Sequence, residues 1–108
     1  MTRLDLSEKD IQSAIVDYLR YQGFLVMEFA KPGTHRALRG SVPTGTPDLL
    51  ALRTGRYVWL EVKMLKGRLT RDQEQVRDDL LAHGAEWHLI RSLDEVMVAV
   101  GVGRAWIS

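Results

Sequence analysis

Two short segments hold residue types suited to chemistry at phosphorus: Pro47-Asp48-Leu49-Leu50 and Leu60-Glu61-Val62-Lys63. In an extended strand side chains alternate. Val58, Leu60 and Val62 therefore share one face, and Trp59, Glu61 and Lys63 share the other. If the strand that begins at Asp48 pairs beside this one, Asp48 and Glu61 approach each other. Two carboxylates held together repel and are costly unless a divalent cation lies between them. Mg2+ or Mn2+ suits such a site, because a hard cation takes oxygen ligands and keeps waters that a phosphate can replace. A lysine alongside can orient or deprotonate the attacking water and offset charge on the phosphate, giving in-line displacement.

An E-x-K on a strand is commonly just a solvated, ion-paired face. Here the G-x-P-D at 45–48 stands thirteen residues ahead of Glu61, across an expected hairpin and inside a basic segment, and that combination argues for function. Residues 31–71 hold nine basic residues and two acidic ones, the two being Asp48 and Glu61. Of fifteen basic and fourteen acidic residues in all, six and twelve lie elsewhere. A basic middle between acidic ends is the charge distribution of a polyanion-binding face, although the net charge of the whole chain is only +1.

The elements that must position these groups can be read from periodicity and capping signals. Ser7 and Asp10 suggest a helix start, Ile11, Ile15, Tyr18 and Leu19 recur at helical spacing, and Gly23 is a stop, giving a helix over 7–22. A strand is expected over 24–29, although Met27 and Glu28 weaken its alternation. Residues 30–46 carry prolines and glycines and are expected to form a long loop. Segments 48–53 and 57–63, around the turn Thr54-Gly55-Arg56, read as a hairpin with Pro47 where a missing donor is tolerated. Thr70 and Gln73 form a capping box opening a second helix that ends before Gly84. A strand over 87–91 follows, and Ser92 and Glu95 form another capping box opening a third helix through Val100. The order α-β-β-β-α-β-α predicts an α/β fold, a mixed sheet flanked by helices.

Composition narrows the class. At 108 residues the chain fits a single domain, 1–108, with one core. The absence of cysteine removes disulfides, thiolate zinc sites and cysteine nucleophiles, and His35, His83 and His88 have no zinc-site spacing. No stretch approaches the ~18 apolar residues of a membrane span, and the amino terminus lacks the apolar core of a signal peptide. A soluble, cytoplasmic protein is expected.

The segments GTPDLLAL (45–52), WLEVK (59–63), GRLTRDQ (67–73) and SEKDIQ (7–12) together resemble the motifs of the VRR-NUC domain, a branch of the PD-(D/E)XK nuclease superfamily. The likeness runs from Ser7 to about Val96 with motifs in the expected order. It implies the restriction-endonuclease-like core and a metal-dependent DNA endonuclease of the small stand-alone type. Asp48 and Glu61 would be metal-binding acids, the Val62 carbonyl a further ligand, and Lys63 the catalytic lysine. Glu8 would be the acid from the first helix, acting on the metal through water, and Gln73 the glutamine opening the second. Small members resemble Holliday-junction resolvases, which implies branched DNA and a homodimer whose two sites make paired cuts.

Some assignments have independent support or rivals. Glu8, Gln12, Ile15 and Leu19 share a helix face, yet Glu8 equally suits the helix dipole. Gln73 at N3 is also what a capping box requires. Arg36, Arg39, Lys66, Arg68 and Arg71 are candidate DNA-phosphate contacts that need no base specificity. Trp59 is expected to pack against the first helix, and Trp87 and Trp106 to be packing residues. The apolar carboxyl region, with Val96, Val98, Val100, Val102, Trp106 and Ile107, is a candidate dimer surface. Two rival functions stand beside the junction nuclease: a nuclease-fold module that binds branched or single-stranded DNA without cutting, and a nuclease without junction preference.

Overall fold

The computed structural model describes residues 7–29 and 43–101. Its elements run α1 (Glu8–Tyr21), β1 (Leu25–Glu28), β2 (Leu49–Arg53), β3 (Arg56–Val62), α2 (Arg71–Ala82), β4 (Glu86–Ile90) and α3 (Leu93–Val100). This is the order expected from the sequence, with boundaries shifted by one or two residues.

The four strands form one sheet in the order β1-β2-β3-β4, antiparallel from β1 to β3 and parallel between β3 and β4. The mixed sheet follows from the connections. A two-residue turn reverses the chain between β2 and β3, whereas α2 carries it back so that β4 runs with β3. In that turn Thr54 and Gly55 both take positive φ, 43° and 80°, the combination that matches the twist of adjacent strands. Arg56 belongs to β3, opposite Arg53, rather than to the turn.

Helices α1 and α3 cover one face of the sheet. Ile15 and Leu19 of α1, Val96 and Val100 of α3, and Leu49, Ala51, Val58, Leu60 and Val62 of the sheet are buried in one cluster. Helix α2 lies on the other face: its Gln73 reaches Glu61, and its Arg77 guanidinium stands 6.0 Å from the Trp87 ring centre.

Helix starts are fixed by side chains. Ser7 Oγ accepts from the Asp10 N–H while Asp10 Oδ2 accepts from the Ser7 N–H, both at 3.1 Å. The box at Thr70 and Gln73 is likewise complete. The third is not. Ser92 Oγ caps Glu95, but the Glu95 carboxylate passes the N-cap and accepts from the Arg91 N–H at 2.7 Å.

Two further expectations are corrected. Trp59 does not pack against α1; it lies on the opposite face of β3 and stacks on Phe29, ring centres 5.8 Å apart. Alternation sets this, since its neighbours Val58 and Leu60 are the residues turned toward α1. In the carboxyl region Val96 and Val100 are consumed by the intramolecular core, and Val98, 78% exposed, is left on the surface. Val102, Trp106 and Ile107 lie outside the described residues.

Candidate active site

The site grows out of the end of the β2–β3 ladder. Leu49 pairs with Leu60 as the last rung, so one step beyond it the register sets Asp48 opposite Glu61. Pro47 ends the ladder, because it has no N–H to give. The Asp48 side chain takes over as acceptor: its Oδ2 receives the Val62 N–H at 2.7 Å. Toward β1, the Asp48 carbonyl accepts from the Phe29 N–H at 2.9 Å. Asp48 is thereby held by backbone on both sides and is 2% exposed; Glu61 is 1% exposed.

Gln73 caps α2 and also reaches a candidate acid. Its Oε1 accepts from the Thr70 N–H at 2.9 Å, completing the cap, while its Nε2 donates to Glu61 Oε2 at 3.2 Å. A neutral amide pinned at one end by the helix start therefore orients the buried carboxylate at the other. The loop before Asp48 is tied to the same helix. Gly45 has φ +92° and lies so close to α2 that an added Cβ would come within 2.9 Å of Val76 Cγ2 and nearer still to the Asp72 backbone.

Lys63 follows directly on β3; its N–H donates to the Ile90 carbonyl at 3.0 Å, and its side chain is half-buried. Glu8, at the start of α1, lines a cleft of about 280 Å3 with Gln12, Glu28, Phe29 and Asp48. The helix face proposed from spacing thus brings Glu8 to the cleft that Asp48 lines. Glu61 is not part of that lining.

Two solved structures share this arrangement of elements. One, described as a VRR_NUC domain, superposes with a TM-score of 0.70 at 21% identity, covering 89% of this chain and 96% of that one. The other, a VRR_NUC domain protein, gives 0.71 at 18% identity, with coverage of 91% and 88%. The chain has the VRR_NUC fold. No protein-family model and no curated protein matches the sequence.

Within the VRR_NUC fold, the donors at the sheet end are of one kind. Asp48 and Glu61 offer hard carboxylate oxygens. Among the described residues no three His, Asp or Glu side chains stand close enough together to hold a metal ion, so Asp48 and Glu61 would have to hold one as a pair. That donor set fits Mg2+ or Mn2+, which is held by one or two carboxylates and completed by water and phosphate, better than it fits zinc.

Of the candidate phosphate contacts, Lys66, Arg68 and Arg71 are exposed, the first two on the turn after β3 and the third in the first turn of α2. Arg36 and Arg39 lie outside the described residues. Sequence reasoning missed two side chains. Glu28 accepts from Gln12 Nε2 at 3.2 Å and stands 4.0 Å from Arg20, on the rim of the Asp48 cleft. Its signal was the broken alternation of β1, a charge at a core-facing register position. Arg91 is the second, and its bonds are described below. Elsewhere Arg56 holds the Glu86 carboxyl below its ordinary range through a paired hydrogen bond; burial opposes this and His88 reinforces it.

No helix among the described residues is long and apolar enough to cross a membrane.

Proposed function

We propose that this chain is a VRR-NUC nuclease that hydrolyses DNA phosphodiester bonds with Mg2+ or Mn2+. The observation that carries the reading is the burial of Asp48 and Glu61 one register step beyond the Leu49–Leu60 rung, with Lys63 directly after the end of β3. Asp48, Glu61 and the Val62 carbonyl would hold the cation, with Glu8 acting through water. Bound there, the metal polarises the phosphate and lowers the pKa of the attacking water. Gln73 fixes the Glu61 carboxylate before substrate arrives, so its orientation need not be established during the reaction. Lys63 orients or deprotonates the water and offsets charge on the phosphate. Lys66, Arg68 and Arg71, with Arg36 and Arg39, contact flanking phosphates without reading bases.

Branched DNA is the proposed substrate and a homodimer the proposed form. The site at Asp48 and Glu61 cuts one strand at a time, and symmetric cuts on opposing strands need two such sites. The sequence resemblance to small VRR-NUC members, which themselves resemble Holliday-junction resolvases, supports this, and the exposed Val98 and Met97 of α3 offer apolar surface to a second copy.

The test is to incubate the protein with linear, flapped and four-way DNA, with and without Mn2+, beside Glu61→Ala, and to measure mass in solution. Metal-dependent cutting by wild type alone is expected, fastest on four-way DNA. Intact binding without cleavage would establish a non-catalytic module instead. Equal rates on linear and four-way DNA would remove the junction preference.

A further inference from the structure

The turn that follows Lys63 is built around one side chain from another strand. Arg91, one residue past the end of β4, donates from Nη1 to the carbonyls of Met64 at 2.6 Å, Leu65 at 3.0 Å and Gly67 at 2.7 Å. Two hydrogens are thus shared among three carbonyls that point inward on one centre. The turn is closed by the Gly67 N–H to the Met64 carbonyl at 2.9 Å. It is also tight: a Cβ on Gly67 would stand 3.3 Å from the Met64 carbonyl oxygen.

Two properties of Arg91 go beyond bracing. Its guanidinium makes no ion pair among the described residues; the carboxylate of Glu95 is spent on its backbone N–H at 2.7 Å. Only Nη1 is used, so Nε and Nη2 donate to no protein atom among the described residues. Arg91 also lines an open hollow of about 770 Å3 with Lys66, Arg68 and Glu74. Three cations face one carboxylate there, two of them, Lys66 and Arg68, in the segment that leads out of β3 past Lys63.

We propose that this hollow is a phosphate subsite, taking a backbone phosphate of the DNA strand beside the scissile one, with Arg91 as its fixed element. Lys66 and Arg68 are exposed, and long exposed side chains cost entropy to order. Arg91 is already anchored through Nη1, and a guanidinium so held offers its remaining edge in a planar fork that a phosphate matches. The proposal rests on the nuclease reading of the site, and binding separates the two.

The experiment measures anisotropy of a labelled duplex of about 30 base pairs, in EDTA so that no cleavage occurs, from 50 to 300 mM KCl. The proteins are wild type, Arg91→Ala, Arg91→Lys and the double variant Lys66→Ala/Arg68→Ala, each checked for thermal unfolding. Arg91→Ala is expected to bind roughly tenfold more weakly at low salt and to lower the slope of log K against log [KCl] by about 0.9, one phosphate's worth. Arg91→Lys keeps the charge, so it should retain the slope while losing affinity, because an ammonium cannot serve the carbonyls and a phosphate fork together. The double variant should lower the slope by about twice as much. A folded Arg91→Ala with unchanged slope overturns the subsite while leaving the nuclease reading intact. If Arg91→Ala does not fold, Arg91→Lys with wild-type affinity does the same. A wild type that binds neither this duplex nor a labelled four-way DNA at any salt overturns both.

Discussion

Gln73 donates to Glu61 at 3.2 Å with the same side chain whose carbonyl oxygen closes the cap of α2 at Thr70. The start of a helix and the orientation of a buried acid are therefore one structural event. Gln73→Glu separates them. The new carboxylate can still accept from the Thr70 N–H, but it sets a second acid against Glu61. Like charges raise the pKa of the pair in the folded protein, so the variant's stability is kept at low pH and lost as pH rises through the raised value. Urea unfolding should find it near wild type at about pH 4 and at least ~1 kcal/mol weaker at about pH 8. The same deficit at both pH values would mean that the amide does not bear on Glu61.

Asp48 does two jobs that different substitutions can divide. Asp48→Asn keeps an oxygen to accept the Val62 N–H but removes the charge, so cleavage should fall by about 10^2 or more with the fold retained. Asp48→Ala loses both, and the orphaned N–H should cost a further ~1–3 kcal/mol of stability. Equal stability of the two variants would show that water replaces the carboxylate at no cost.

How far the sequence reveals this arrangement depends on the range of the interaction concerned. The hairpin was legible because Thr54-Gly55 is a local conformational demand, and alternation placed Glu61 and Lys63 on one face without reference to any other element. Capping pairs at Ser7 and Thr70 were legible for the same reason. Trp59 was misplaced because alternation says which residues share a face and not which helix covers it. Arg91 was missed because its partners lie 24 to 27 residues away and are backbone carbonyls, which leave no mark on the side-chain pattern. Glu95 shows the finer limit: S-x-x-E announced a complete box, and the carboxylate bonded one residue further back.

The Arg56–Glu86 pair governs stability in acid. Arg56 donates from Nε and Nη2 to Glu86 and from Nη1 to the Val100 carbonyl at 2.6 Å, joining β3, β4 and the end of α3. Because the folded Glu86 pKa lies below its unfolded value, its contribution is complete above the ordinary carboxylate range and fades as pH falls through the lowered one. Both side chains are about a third exposed, so solvent screening limits the pair to about 1 kcal/mol. Arg56→Met should lose about that much at pH 7 and show a shallower decline below about pH 4.5 than wild type. A parallel decline would place the acid sensitivity elsewhere.

Gly45 connects the Asp48 loop to α2 at a point where nothing larger fits. Its φ of +92° is strained for any side chain, and a Cβ there would come within 2.7 Å of the Asp72 carbonyl carbon. The loop cannot yield without shifting Pro47 and Asp48, and α2 cannot yield without shifting Gln73, so either relaxation changes one of the two contacts on the acids. Gly45→Ala should therefore cost about 2–3 kcal/mol in unfolding free energy, from strain and overpacking together. In the proposed nuclease it should also lower kcat more than it raises KM, since the displaced groups would act on the reacting phosphate rather than on distant DNA. Gly55→Ala is the control: its φ is +80° but nothing lies within 4 Å of the added methyl, so it should lose stability with kcat unchanged. If both variants lose stability alike and neither loses kcat, the close approach of Gly45 to α2 does not set the geometry of the acids.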